Sequence, residues 1–304
     1  MSAGVITTGS HPKALWPGMR KFWGREYTEH QQEWTQIFES LDSEKNYEED
    51  TEVTGFGLAP VKAQAGSVSY DSESQGPTKR YTHVTYGLGY IVTREELEDN
   101  LYEVVSKRRI KALAFSMRQT EEIVAANVLN RAFNTSYLGG DGKAMIVSDH
   151  PTVAGSASNV LTTAADLSEA SIEDLCIQIM NATNSRGLKI SIMPKKLIVS
   201  PSEAFNAERI VKSTLQAGTA NNDLNAVRSM GIFPDGITVN HYLTDTDAWF
   251  IKTNAPNGLL RFNRRATEFK QDNDFDTENA KAKSTMRFSV GWTDWRGVYG
   301  TPGA

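Results

Sequence analysis

Cysteine is almost missing. Cys176 stands alone in 304 residues, which excludes a disulfide framework and any multi-cysteine metal site. In "IEDLCIQIM" it reads as a small buried thiol. Long apolar runs are missing too: none approaches the ~18 residues that a membrane-spanning helix requires. The N-terminus has no charged start followed by an apolar run, so no signal peptide is expected. The expectation is a chain made and used in the cytosol. Positive charge is in short supply, with 32 Lys and Arg against 37 Asp and Glu, a formal net charge of −5. That argues against affinity built on neutralising many phosphates. The basic runs "SKRRIK" at 106–111 and "RFNRR" at 261–265 are short and sit in periodic segments, as solvated faces do.

Enzyme signatures are absent as well. There is no G-x-x-x-x-G-K-S/T loop, no G-x-G-x-x-G after a strand, no H-E-x-x-H and no G-x-S-x-G elbow. The five histidines, at 11, 30, 83, 150 and 241, are scattered. Ser148, Asp149 and His150 are adjacent in the chain, but triad groups converge in space and adjacency says little about that. A hydrolase with a site there is the alternative reading, against a loop turn. Asn134 and Asn181 open glycosylation sequons that mean nothing without a secretory route. Asp272, Asp274 and Asp276 match the opening of a calcium loop. Its sixth and twelfth positions, which need Gly and Glu, hold Thr277 and Lys283, and the loop so loses its turn and its bidentate ligand. No catalytic residue, cofactor or metal is expected.

What remains describes an assembly part. Hydrophobic residues make up 39% and charged residues 23%, a polar balance that suits extended surface segments. Three of the six tryptophans, Trp16, Trp23 and Trp34, lie near the start. Thr28 with Gln31 reads as a capping box, with Trp34, Ile37, Phe38 and Leu41 as one helical stripe. Residues 53–92 lose helical periodicity and read as a two-stranded arm, 53–72 and 78–92, around "DSESQGP". In its second strand Val84, Tyr86, Leu88, Tyr90 and Val92 share a face. An isolated hairpin is marginal in water, so the arm needs something to lie against. Thr93 and Glu96 cap a helix, or a short helix and a long one, reaching about Phe133; a coiled coil is the alternative. Its apolar positions are Leu97, Leu101, Val104, Val105, Leu113, Met117, Val124 and Val128. From about 145 to 250 helices at 168–184 and 202–212 alternate with strands at 195–200 and "GITVNHY". A hairpin is expected to turn at Asn257-Gly258, and "TMRFSVGWTDWRGVYG" reads as a closing strand.

This order of arm, hairpin, long helix and α/β domain resembles the major capsid proteins of tailed bacteriophages. "GLLRFNRRATEFKQDNDFDTENAKAKSTMRFSVGWTDWRGVYG", residues 258–300, is similar to the C-terminal signature of a group that includes Mu-like major head subunits. "STLQAGTANNDLNAV", 213–227, is similar to that group's mid-domain loop. The resemblance implies an α+β Hong Kong 97-like capsid fold. Its parts would be an N-terminal arm (1–48), an extended hairpin loop (49–92), a peripheral domain with its spine helix (93–144), an α/β axial domain (145–256) and return strands (257–304).

It also implies a structural protein, not an enzyme, that self-assembles as pentamers and hexamers of an icosahedral head around double-stranded DNA held without sequence-specific contact. An encapsulin-like shell is the nearest structural alternative. A portal and a separate scaffolding protein are implied as partners, with a possible decoration protein and no membrane; assembly would occur in the bacterial host cytoplasm. The type member of the fold joins its subunits through Lys–Asn bonds. Lys62 and Lys79 lie in the arm, neither matches that lysine, and no cross-link is expected. Subunit contacts are expected at Trp16, Phe22, Trp23, Phe56, Tyr81 and Tyr86. Asp274 and Asp276 are expected to pair with basic residues of a neighbour, either Arg264 and Arg265 or the "SKRRIK" face, exposed pairs worth ~0.2–1 kcal/mol each.

Overall fold

The computed structural model describes residues 23–28, 31–93, 95, 102–216, 223–274 and 278–304, with the side chains of 102–107 left aside. Packing of the backbone divides the chain into two units, one of Met1–Gln32, His83–Ile123 and Asn263–Ser289, the other of Glu33–Thr82, Val124–Phe262 and Val290–Ala304.

The second unit holds the α/β arrangement expected from the middle of the chain. Strands β1 (Glu39–Asp42), β2 (Tyr47–Val53) and β3 (Gln75–Thr82) come first. β5 (His150–Thr152) and β6 (Gly155–Ala157) make a small hairpin. A four-stranded sheet follows, in the order β12-β9-β7-β8, from β7 (Pro194–Val199), β8 (Ile237–Val239), β9 (Trp249–Thr253) and β12 (Val298–Thr301). β7 and β8 run parallel, Leu197 opposite Ile237, so the chain must cross over between them. The crossover carries a nine-residue helix, Ala204–Lys212, and a four-residue turn, Ala226–Ser229. Helix Glu169–Met180 starts at a true capping box: the Ser168 hydroxyl accepts from the Ser171 amide, and Ser171 Oγ accepts from the Ser168 amide. Its buried stripe of Ile172, Leu175, Cys176 and Ile179 packs with Leu197, Val199, Trp249 and Ile251 of the sheet. A second cluster gathers Trp34, Ile37 and Phe38 with Met145, Ile198, Phe250, Leu259 and Trp292.

Burial pushes the Cys176 thiol up to about 12. Thiol reagents at pH 8 should therefore leave Cys176 unmodified in the native chain and label it only after denaturation, since the thiolate is the nucleophile. Stoichiometric labelling of the native protein would contradict this packing.

In the first unit, β4 (Val84–Val92) pairs antiparallel with β11 (Ala280–Trp292), from Ala280 opposite Val92 to Phe288 opposite Val84. β10 (Leu259–Asn273) lies on the far side of β11. The long helix, Tyr102–Asn130, shows its buried face at Ile110, Leu113, Ala114, Met117, Ala125 and Leu129. Val124 and Val128 flank that stripe and are half-buried. Leu97 and Leu101 fall outside the described residues, as does Glu96 of the expected cap. Of the described residues, no helix is long and apolar enough to cross a membrane.

Several local expectations are corrected. Thr28 does not start a helix: it closes a helical turn at 23–28, its hydroxyl donating back to the carbonyls of Gly24 and Arg25. Trp34–Gln36 is a short 3-10 turn leading into strand β1, and Leu41 points to solvent while Trp34, Ile37 and Phe38 are buried. Helical spacing was mimicked there by a turn followed by a strand. Asn257 does take the left-handed conformation, φ 54°. The strands on either side nevertheless pair elsewhere, β9 with β7 and β12, β10 with β11, so the turn is a sheet-to-sheet corner. Gly258 is needed because its Cα lies against Gly297; a Cβ added at Gly297 would meet Gly258 Cα at 2.4 Å.

Candidate subunit interface

The exposed arm is built differently from the hairpin the sequence suggested. Its strands are β2 and β3, paired from Tyr47 opposite Thr82 to Thr51 opposite Thr78, with an irregularity between Thr51 and Val53. Residues 54–74 join them as a loop, and 84–92 belongs to another sheet. The ribbon is polar: Arg80 and Glu49 pair across it at 2.7 Å, and the Arg80 guanidinium lies over the Tyr47 ring. Two rungs close the base of the loop. At the first, the Thr54 amide donates to the Ser74 carbonyl at 3.1 Å. At the second, Asp71 accepts from the amides of Gly57 and Ser72, at 2.7 and 2.8 Å. These backbone donors, with Arg186 beside them, hold the Asp71 carboxyl below its usual range.

From the first rung outward the loop presents apolar side chains to solvent. Phe56 is 61% exposed, Val61 fully exposed and Tyr70 94% exposed, with Leu58 and Val68 similarly open. A body with closed cores of its own has no packing reason to display them there. Contiguous exposed apolar surface of this sort marks an interaction site.

Below the loop, the turn 183–189 grips its base. Ser185 Oγ donates to Glu52 Oε1, which also accepts from Arg296 Nη1 at 3.4 Å. Arg296 is buried and bonded to Asp294 at 3.1 Å. Burial raises the Asp294 carboxyl, against the pull of that guanidinium.

The aromatic residues expected at subunit contacts fare unequally. Phe56 is exposed in the single chain. Trp23 is 6% exposed, stacked between Tyr27 and Phe269 with centroids at 4.9 and 5.6 Å. Tyr81 is 3% exposed, against Phe262, its hydroxyl 2.6 Å from Thr293 Oγ1. Tyr86 is half-buried on Phe288. These three rings are covered inside one chain, so Trp23 and Tyr81 are corrected from free clamps to protomer core. Trp16 and Phe22 lie outside the described residues. So does Asp276.

The charged stretch at 271–283 covers the end of β10, up to Asn273, and the start of β11, from Ala280. Asp274 is engaged within it: Lys281 pairs with its carboxylate, and its amide donates to the Asn279 carbonyl. Arg265 is exposed, near Thr285 Oγ1 at 3.4 Å, and Arg264 is half-buried with its Nε bonded to nothing among the described residues. Lys62 is exposed at the loop tip. Lys79 is held, donating to the Leu138 carbonyl at 2.6 Å above the Trp292 ring, and its burial lowers its pKa.

The alternative site at Ser148, Asp149 and His150 does not assemble. Ser148 and Asp149 face solvent, Asp149 pairing with Lys143 at 2.5 Å, while His150 is fully buried. Its Nδ1 lies 2.6 Å from Asp141 and its Nε2 3.1 Å from Asn159 Oδ1, and its ring stacks flat on Trp295 at 4.4 Å. Asn159 in turn donates to the carbonyls of Met145, Trp295 and Val298. The histidine is a structural cross-brace. Among the described residues no group of His, Cys, Asp and Glu could hold a metal ion.

Comparison with known proteins agrees with this picture. A family model described as phage capsid protein matches residues 76–301. No curated protein matches. The fold is similar to a virus-like particle from Pyrococcus furiosus, 12% identical over 94% of this chain and 98% of that one, TM-score 0.54. It is similar to a structure from Mycobacterium phage Patience, 11% identical over 99% and 92%, TM-score 0.53. The procapsid of bacteriophage JBD30 is 13% identical over 97% and 76%, TM-score 0.52.

Proposed function

Because the chain belongs to the phage capsid protein family and has the Hong Kong 97-like fold, a structural subunit of a phage shell, we propose that its loop at 54–74 is the surface through which copies grip one another. The observation that carries this is the run of exposed apolar side chains at Phe56, Leu58, Val61, Val68 and Tyr70 on a protomer whose cores are closed. Removing apolar area from water contributes roughly 25 cal/mol per Å². Large permanent interfaces bury about 2,000–5,000 Å², more than this loop offers alone. The N-terminal arm expected at 1–48 supplies the rest through residues other than Trp23, Trp34, Ile37 and Phe38, which the protomer itself buries. The peripheral domain is 93–144 with the return strands at 257–304, Tyr102–Asn130 being its spine helix, and the axial domain is 145–256, which holds strands β7, β8 and β9. Copies gather as pentamers and hexamers of an icosahedral head, with a portal and a separate scaffolding protein as partners. The acidic balance of the chain suits a wall that confines DNA without binding its sequence.

Exposed Arg265 and exposed Asp272 suit pairing with a neighbour; Asp274 is already committed to Lys281, and the unbonded Arg264 Nε is buried. Such pairs set register more than strength.

Electron microscopy of the purified chain should show closed particles tens of nanometres across. Lys62, the one Lys or Arg between Thr54 and Ser74, gives a second readout. Trypsin should cut there in unassembled chains and be excluded in particles. A small oligomer, or equal cleavage before and after assembly, would overturn the assignment.

A further inference from the structure

Among the described residues, the outer part of the loop is held to its own protomer at one point, by the side chain of Arg186. Arg186 Nη1 donates to Asp71 Oδ2 at 2.6 Å, and Nη2 donates to the Ser72 carbonyl. One planar guanidinium thus takes a carboxylate and a backbone oxygen of consecutive residues, a fork geometry that lysine's point charge cannot reproduce. Arg186 is itself pre-set. Asn184 Oδ1 accepts from the amides of Arg186 and Leu188 at 3.0 and 2.9 Å, and the Asn184 amide donates to the Leu188 carbonyl at 2.8 Å. Gly187, at φ 82°, lets the turn close. The same turn holds Glu52 through Ser185, so one short segment grips the ribbon's end and the loop's second rung. Beyond that rung the remaining backbone bond is a local turn, the Gly66 amide to the Ala63 carbonyl at 3.0 Å. Gly57 stands where this grip closes: a Cβ there would lie 3.3 Å from Asp71 Oδ2 and 3.5 Å from Arg186 Nη1.

We infer that Arg186 is a positioning residue that sets the direction in which the 54–74 loop leaves the protomer, and so governs how fast the loop finds a neighbouring copy. The inference rests on the loop being the gripping surface. Its physical basis is entropic: a loop already aimed has less freedom to lose on docking.

The test separates the two. Spin labels at Lys62→Cys and at the exposed Ser202→Cys report the loop's distance distribution in the unassembled full-length chain, with buried Cys176 left unlabelled. The parent should give a narrow distribution, Arg186→Ala one about twice as wide, and Arg186→Lys an intermediate width. Asp71→Asn, which leaves Arg186 in place, should also broaden it. The unfolding midpoint should not move in any of them, because the contact is at the surface. Particle formation should slow in the same order, by about two- to fivefold for Arg186→Ala, the range of an exposed charged contact. Equal widths in all variants would overturn the latch. Broader distributions with unchanged assembly rates would overturn its governing role. A parent that forms no particles at all would overturn the gripping surface itself, while the distance measurement would still decide the latch.

Discussion

Replacing Phe56, Leu58, Val61, Val68 and Tyr70 together by serine leaves a folded, soluble protomer that no longer closes into particles. All five are exposed in the single chain, so their loss removes no core contact, and the unfolding midpoint stays within about 0.5 kcal/mol of the parent, as surface changes do. Assembly is different. Each large apolar side chain fully buried at a contact contributes ~1.5–3 kcal/mol, and every copy in a shell presents the same loop. A deficit of even 3 kcal/mol per contact is more than a hundredfold in association at each one, since ~1.4 kcal/mol is tenfold. Particle yield, read by sedimentation or microscopy, should fall below about a tenth. Normal yield from the five-serine chain would remove the loop from the interface and leave the N-terminal arm to carry it.

The other large effect is on stability. His150→Ala takes out a fully buried ring whose two nitrogens meet Asp141 and Asn159 and whose face lies on Trp295. What is left is a cavity, an Asp141 carboxylate keeping only the Lys143 amide at Oδ1 and an Asn159 oxygen keeping only the Val147 amide. Each buried polar group left unsatisfied costs about 1–3 kcal/mol, and the cavity adds its own cost. The variant should unfold at clearly lower denaturant or accumulate as insoluble chain, whereas Ser148→Ala, at an exposed position, should behave as the parent. A hydrolase centred on these residues would give no such ranking, with both variants folded and both inactive. Chemical denaturation of the two proteins side by side decides it.

These two experiments fall on either side of what sequence reading could reach. The alternation of Val84, Tyr86, Leu88, Tyr90 and Val92 was enough for strand β4, because side chains on a strand alternate strictly between faces. The order of helices and strands from 168 to 239 was legible for a related reason: periodic burial writes itself into the chain wherever an element has one wet face and one dry one. Family resemblance was carried by the long closing segment, 258–300, which forms two paired strands and the 3-10 turn at Trp295–Gly297.

The partner of each strand was not legible. Strand β4 reads equally well as half of a hairpin with 53–72 or as the neighbour of β11, and nothing local separates the two; the choice belongs to residues nearly two hundred positions away. The same limit explains Trp23 and Tyr81. An aromatic ring near a chain's start or in a polar ribbon looks available until Phe269 or Phe262 arrives to cover it. It explains Arg186 too, an ordinary arginine in "TNSRG" whose partner Asp71 is 115 positions distant.

The amino-acid sequence alone determined which segments alternate, which repeat with helical period, and that no cysteine framework, membrane span or known catalytic motif was present, because each of these is decided by near neighbours and composition. Tertiary structure alone decided which aromatic rings are core and which stay exposed, and it turned Ser148, Asp149 and His150 from a would-be triad into one buried brace with two solvent-facing neighbours. Burial depends on what long-range packing brings to each side chain, and that is settled only when the whole chain has found its partners.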